Sequence, residues 1–178
     1  MQAGVGAVQV REKDLGGRAL FDRVARLVSL CGSEYPCVLV NDRADVALAA
    51  GARGVHLPGT GISVEALRRV VGAEALVGRS IHSAEELAHV GGANYVIFGP
   101  IFETPSKRAY GEPQGLEKLR EVSRAAPVPV IAIGGITPDR VSEVCTHGAS
   151  GVAVMGAILD AEDPAAVVRE FREALAQE

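Results

Sequence analysis

Seven short apolar runs recur along this chain, and after most of them the apolar residues return at helical spacing. The runs are GVGAVQVR at 4–11, CVLV at 37–40, GVHL at 54–57, LVGRS at 76–80, YVIF at 95–98, VPVIAI at 128–133 and GVAV at 151–154. Each is short, rich in β-branched residues and bounded by Gly, Pro or polar residues, as strands are. Regular alternation of strands with helices dictates a parallel sheet, because parallel neighbours need a crossover between them. The repeat of about 20 to 25 residues, with no GxGxxG after the first run, favours a barrel over a doubly wound sheet. The 178 residues are 48% apolar and contain no Trp, which suits strands covered on both faces and one domain spanning 1–178.

The stretch VPVIAIGGITPD at 128–139 carries the strongest functional hint. Its strand ends at Gly134 and Gly135, which lack a Cβ and let the backbone approach a ligand closely. Thr137, Pro138 and Asp139 then read as N-cap, first position and acidic first turn of a helix. One helix later GVAVMGAI at 151–158 ends a second strand near Met155, with Gly156 at the turn. Two successive strand ends of this kind are how the last units of a (β/α)8 barrel build a phosphate site; a tight βα turn is the plainer alternative.

Polar residues gather at the other strand ends as well. The first run delivers Gln9, Arg11 and Lys13 to one rim, the second ends in Asn41, Asp42 and Arg43, and the fourth ends at Ser80 close to His82. The loop 99–115 holds Glu103, Thr104, Ser106, Lys107 and Arg108 among Pro and Gly, the composition of a loop that closes over an anion or of one that is merely solvated. Ser63 with Ala66 and Ser83 with Glu86 read as helix starts, the second as a capping box. His56 lies within a strand and reads as core or rim.

Other function classes recede. The net charge of -4 comes from interleaved acids and bases, with no surface for nucleic acid or lipid. Cys31, Cys37 and Cys145 have no metal-type spacing, and their odd number argues against a disulfide framework. No run approaches the roughly 20 apolar residues of a membrane span, and the N-terminus lacks a signal-peptide pattern, so a cytoplasmic protein is expected.

Seven stretches in order, VQVREK (8–13), NDRADVALA (41–49), GVHL (54–57), GRSIHS (78–83), FGPIFETPSK (98–107), IAIGGITPDR (131–140) and GVAVMGAI (151–158), resemble the thiamine phosphate synthase and TenI superfamily. The resemblance implies a (β/α)8 TIM barrel, here apparently lacking the first βα unit and so with seven strands. It implies Arg11, Lys13, Asn41, Asp42, Ser80, Thr104, Ser106 and Lys107 around a pyrimidine diphosphate and thiazole, and Gln9, at the same strand end as Arg11, is read as substrate-binding with them. It also implies Gly135, Met155 and Gly156 on a thiazole phosphate, to which the reading of the turn itself adds Gly134.

One departure steers the choice of activity. Where the synthases carry an acidic residue after GVHL, this chain has Pro58, Gly59, Thr60 and Gly61, leaving Asp42 as the single Mg²⁺ carboxylate if the protein is a synthase. The expectation drawn from this is a metal-independent thiazole tautomerase of the TenI type, with His82 and Lys107 as its catalytic groups and no cofactor. The tautomerase histidine of the FG-x-x-F motif is replaced by Pro100, and histidine ordinarily titrates near neutrality, which makes His82 the candidate for proton transfer. The alternatives are a Mg²⁺-dependent thiamine phosphate synthase and a non-catalytic binding protein. Partners are expected to be a thiazole phosphate or thiamine phosphate and a second copy of the chain in a homodimer.

Overall fold

The computed structural model describes residues 3–31, 37–104 and 112–177. They form two compact units: Ala3–Arg79 with His89–Asn94, and Ser80–Ala88 with Tyr95 onward. All seven expected strands are present, and every described pairing is parallel. The fold is therefore α/β with parallel strands joined by helices.

The first unit runs β1 (Ala7–Val10), α1 (Gly17–Cys31), β2 (Cys37–Asn41), α2 (Ala44–Ala49), β3 (Gly54–Leu57), α3 (Val64–Val71) and β4 (Leu76–Ile81), whose last two residues fall in the second unit. The register pairs Gln9 with Leu39, Asn41 with His56, and His56 with Gly78. Since side chains alternate along a strand, Gln9, Leu39, Asn41, His56 and Gly78 share one face. Val10, Val40, Val55, Leu57, Val77 and Arg79 share the other, and apart from the arginine that face is a buried aliphatic layer. Leu20, Val24, Val46, Val64 and Leu67 from the three helices are buried too. Each such aliphatic side chain taken out of water contributes about 1.5 to 3 kcal/mol before chain entropy is set against it.

Helix α3 starts as its sequence predicts, with Ser63 Oγ accepting from the Ala66 N–H at 3.1 Å. Its end is closed by Arg68, which donates to the carbonyls of Gly72, Ala73, Ala75 and Gly92 and to Asn94 Oδ1. The same Asn94 oxygen accepts from the Val77 N–H, so one arginine fixes the route into β4.

The second unit contains β5 (Tyr95–Phe98), α4 (Gly115–Ala125), β6 (Val130–Ile133), α5 (Val141–Thr146), β7 (Gly151–Ala153), α6 (Gly156–Leu159) and α7 (Pro164–Leu175). Asp163 caps α7 by accepting from the N–H groups of Ala165 and Ala166, with Pro164 at the first position. Two expected helix starts are corrected. Glu85–His89 is a 3-10 helix, not the α-helix implied by Ser83 and Glu86. Ser83 bonds Glu85, while Glu86 reaches the His82 N–H. The glycine pair 91–92 follows closely, so the segment has room only for a short piece of helix. Thr137 likewise makes no side-chain cap; its carbonyl accepts from the Arg140 N–H at 2.9 Å and starts a 3-10 turn, Pro138–Arg140, ahead of α5.

Candidate functional site

In the first unit the ends of β1 and β2 bring Gln9 and Asn41 together, with Gln9 Nε2 donating to Asn41 Oδ1 at 3.3 Å. Beside Asn41 in register is His56, 2% exposed, whose burial pushes its pKa down to about 4 and keeps the ring neutral at physiological pH. Asp42 follows at φ 60, a left-handed backbone conformation rarely adopted outside Gly, Asn and Asp, and its N–H donates to the His56 carbonyl. Arg43 turns away to form a fork with Asp45, at 2.8 and 2.7 Å, and these hydrogen bonds bring the Asp45 carboxyl down to about 2. Arg43 is thus engaged elsewhere and leaves the Asp42 carboxylate exposed. Arg11 and Lys13 are exposed beyond the end of β1.

Sequence reasoning passed over Arg79. It is 8% exposed and donates to the carbonyls of Gly59 and Ile62, both at 2.9 Å, so it holds the loop that carries Gly61. The available signal was a charged residue inside an otherwise apolar strand, since a buried guanidinium must find acceptors.

In the second unit β6 and β7 end side by side, with Ile133 paired to Ala153, so Gly134 and Gly135 neighbour the segment leading to Met155 and Gly156. Gly134 at φ 102 and Gly135 at φ 65 are both in conformations that glycine tolerates best. A Cβ on Gly134 would lie 2.5 Å from Pro100 Cβ, and one on Gly135 would lie 2.6 Å from the Glu103 carbonyl oxygen. Close approach is therefore required at both positions by residues 100–103 themselves. The carbonyls of Ile133 and Gly134 accept from the N–H groups of Ile101 and Phe102, and that of Gly135 accepts from Arg140. A trans peptide points its N–H opposite to its C=O. The N–H groups of Gly135 and Ile136 accordingly face away from these protein donors. Met155 is exposed, and Gly156 opens α6, a short helix that the sequence reading had merged into the turn.

His82 is exposed at the end of β4, with Nδ1 2.9 Å from the Gly99 carbonyl oxygen. Because a carbonyl only accepts, the neutral ring carries its hydrogen on Nδ1 and leaves Nε2 as the acceptor. Ser80 and Thr104 are half-buried. Ser106 and Lys107 lie outside the described residues. No group of three or more His, Cys, Asp or Glu able to hold a metal occurs among the described residues.

The family model for thiamine monophosphate synthase matches residues 1–158. The chain belongs to the thiamine monophosphate synthase family. A thiamine-phosphate synthase from Anaeromyxobacter dehalogenans is 44% identical over 96% of this chain and 78% of its own length. The bifunctional ThiM/ThiE protein of Symbiobacterium thermophilum is also 44% identical over 95% of the chain, which spans 36% of that longer protein. Among solved structures, thiamine phosphate pyrophosphorylase from Pyrococcus furiosus matches with a TM-score of 0.88 and 32% identity, covering 99% of this chain and 85% of that one.

These relatives overturn the tautomerase expectation. Similar proteins at 38 to 44% identity over most of the chain carry the synthase name. The expectation rested on Gly61 standing where an acid was looked for, and it gave that one position too much weight. Mg²⁺ is commonly held by one or two carboxylates, with substrate phosphates and water supplying the rest, so an acid missing at one position does not by itself argue against a synthase. No helix among the described residues is long and apolar enough to cross a membrane.

Proposed function

We propose that this protein is a thiamine-phosphate synthase, joining hydroxymethylpyrimidine diphosphate to a thiazole phosphate with release of diphosphate. The observation that carries the reading is the 44% identity to a named synthase over nearly the whole chain, spanning both units. The 0.88 TM-score supports a barrel of the family's type. In the reaction the pyrimidine methylene carbon loses diphosphate and the thiazole nitrogen attacks the resulting cation.

In this reading Gln9 and Asn41 hold the pyrimidine, and Arg11, Lys13 and Lys107 hold the diphosphate, whose departure requires neutralised charge. The turn at Gly134 and Gly135, with Met155 and Gly156, takes the thiazole phosphate through main-chain N–H groups. Ser80, Thr104 and Ser106 position the two rings, and His82 presents Nε2 as a hydrogen-bond acceptor. The residues fit a Mg²⁺ ion held by Asp42 and largely by substrate oxygens, not one enclosed by protein carboxylates. Such an ion would supply charge neutralisation to the leaving diphosphate.

The test is direct. Purified protein given both substrates and Mg²⁺ should release diphosphate and form thiamine phosphate in equal amounts. Absence of product at saturating substrates would sink the synthase reading.

A further inference from the structure

Arg140 stands out among the residues that the proposed function does not use. It lies in the 3-10 turn after β6, and its Nη1 donates to the Gly135 carbonyl at 2.8 Å. Its guanidinium carbon sits 4.4 Å from the centroid of the Phe102 ring, a cation–π contact. No carboxylate pairs with it among the described residues. The side chain therefore spans two segments, the diglycine turn and residues 101–104, and is fixed at both by geometry that a planar, forked cation supplies.

The consequence falls on one peptide plane. Diglycine turns have several accessible backbone states, and a peptide between two residues can rotate about its flanking bonds when neither end is held. Here the Gly135 carbonyl is held by Arg140, and the trans geometry then fixes where the Ile136 N–H points. The neighbouring Gly134 carbonyl is held by the Phe102 N–H at 3.0 Å, which fixes the Gly135 N–H in the same way. Phe102 thus serves both planes, through its own N–H and through the ring that steadies Arg140.

We infer that Arg140, braced on Phe102, is a positioning residue that locks the Gly135–Ile136 peptide with its N–H presented to the phosphate of the thiazole substrate. This rests on the phosphate reading of the turn given above. Arg140 acts through the main chain, and its contribution is preorganisation of a donor that would otherwise have to be ordered when substrate binds.

The experiment compares wild-type protein with Arg140→Gln, Arg140→Lys and Phe102→Leu in steady-state kinetics, varying each substrate in turn. Arg140→Gln should raise KM for the thiazole phosphate by about tenfold while leaving KM for the pyrimidine diphosphate unchanged and kcat within about twofold. Arg140→Lys keeps the charge and loses the fork, and it should fall between the two; Phe102→Leu should do the same. Equal rises in both KM values, or none, would overturn the inference. In case the variants fold poorly, ¹⁵N-labelled wild-type protein titrated with inorganic phosphate gives a second measurement. The Gly135 and Ile136 amide signals should move, and their standing still would overturn the inference. Wild-type protein that makes no thiamine phosphate would instead count against the synthase reading, so the two failures are distinguishable.

Discussion

Gly61 stands against the carboxylate of Asp42: a Cβ on Gly61 would lie 3.3 Å from Asp42 Oδ1. A carboxylate introduced at position 61 would therefore share space with the one at 42. Gly61→Asp should lower the Mg²⁺ concentration needed for half-maximal diphosphate release by roughly tenfold, because two carboxylates bind a hard cation better than one. The same change should reduce stability by about 1 kcal/mol, since the new Cβ would also crowd the Pro58 carbonyl oxygen at 3.1 Å. A Mg²⁺ titration of activity alongside urea unfolding separates the two effects. An unchanged Mg²⁺ requirement would mean that the Pro58 loop aims its side chains elsewhere.

Asp42→Asn provides the complementary change. Asn accepts the left-handed backbone that Asp42 adopts, so the variant removes charge with little strain. We expect kcat/KM to fall by about 100-fold or more, as for loss of a group that stabilises transition-state charge, with Tm nearly unchanged. Full activity in the Asn variant would remove Asp42 from the site.

His56 gives stability a pH dependence. Its native pKa is depressed to about 4 from the ordinary 6.5, so between those values the unfolded chain binds the proton and the native state does not. Stability contributed by the neutral ring is complete above pH 6.5 and is lost as pH falls toward 4. From about pH 7 to about pH 5 the loss should be about 2 kcal/mol, which urea unfolding at the two pH values measures. A His56→Gln variant should show a correspondingly flatter dependence over that range.

Gly135→Ala tests whether the turn after β6 is as constrained as it looks. The φ of 65 and the 2.6 Å approach to the Glu103 carbonyl oxygen together predict a cost of about 2 to 4 kcal/mol. Gly6→Ala is the control. Among the described residues no atom beyond its chain neighbours lies within 4 Å of where its Cβ would go, and its stability should change by less than about 1 kcal/mol.

Arg79→Met replaces the guanidinium under the Pro58 loop with an apolar chain of similar length. It leaves the Gly59 and Ile62 carbonyls without their donor, and stability should fall by about 3 kcal/mol, a typical cost of orphaned partly buried acceptors. Arg79→Lys should recover only part of this, since an ammonium cannot fork to both oxygens in one plane. Thermal unfolding reads both variants, and equal stability to wild type would make the contacts incidental.

The alternation of apolar runs was enough to place all seven strands and most helices, because strand burial and helix amphipathy are written in neighbouring residues. Ser63 caps its helix as its position foretold. Ser83 and Thr137 did not, since a cap depends on whether the following residues have room to propagate a helix. The diglycine turn was readable because glycine reports its own backbone freedom. Arg79, Arg140 and the depressed pKa of His56 were not, as each arises from groups distant in sequence. The activity was misjudged at Gly61 because residue identity alone does not say how many ligands a metal needs from the protein.

The diglycine turn also has a consequence for how such a chain diverges. A ligand gripped by main-chain N–H groups is indifferent to most side-chain replacements, so mutation can erode that grip only at the few positions where the backbone itself would be displaced. Gln9, Asn41 and Asp42 have no such shelter, since one codon change alters what each offers. In the proposed reading, anchoring of the substrate's phosphate is therefore the conservative half of this protein, and what is done to the rest of the substrate is the half on which selection can act quickly.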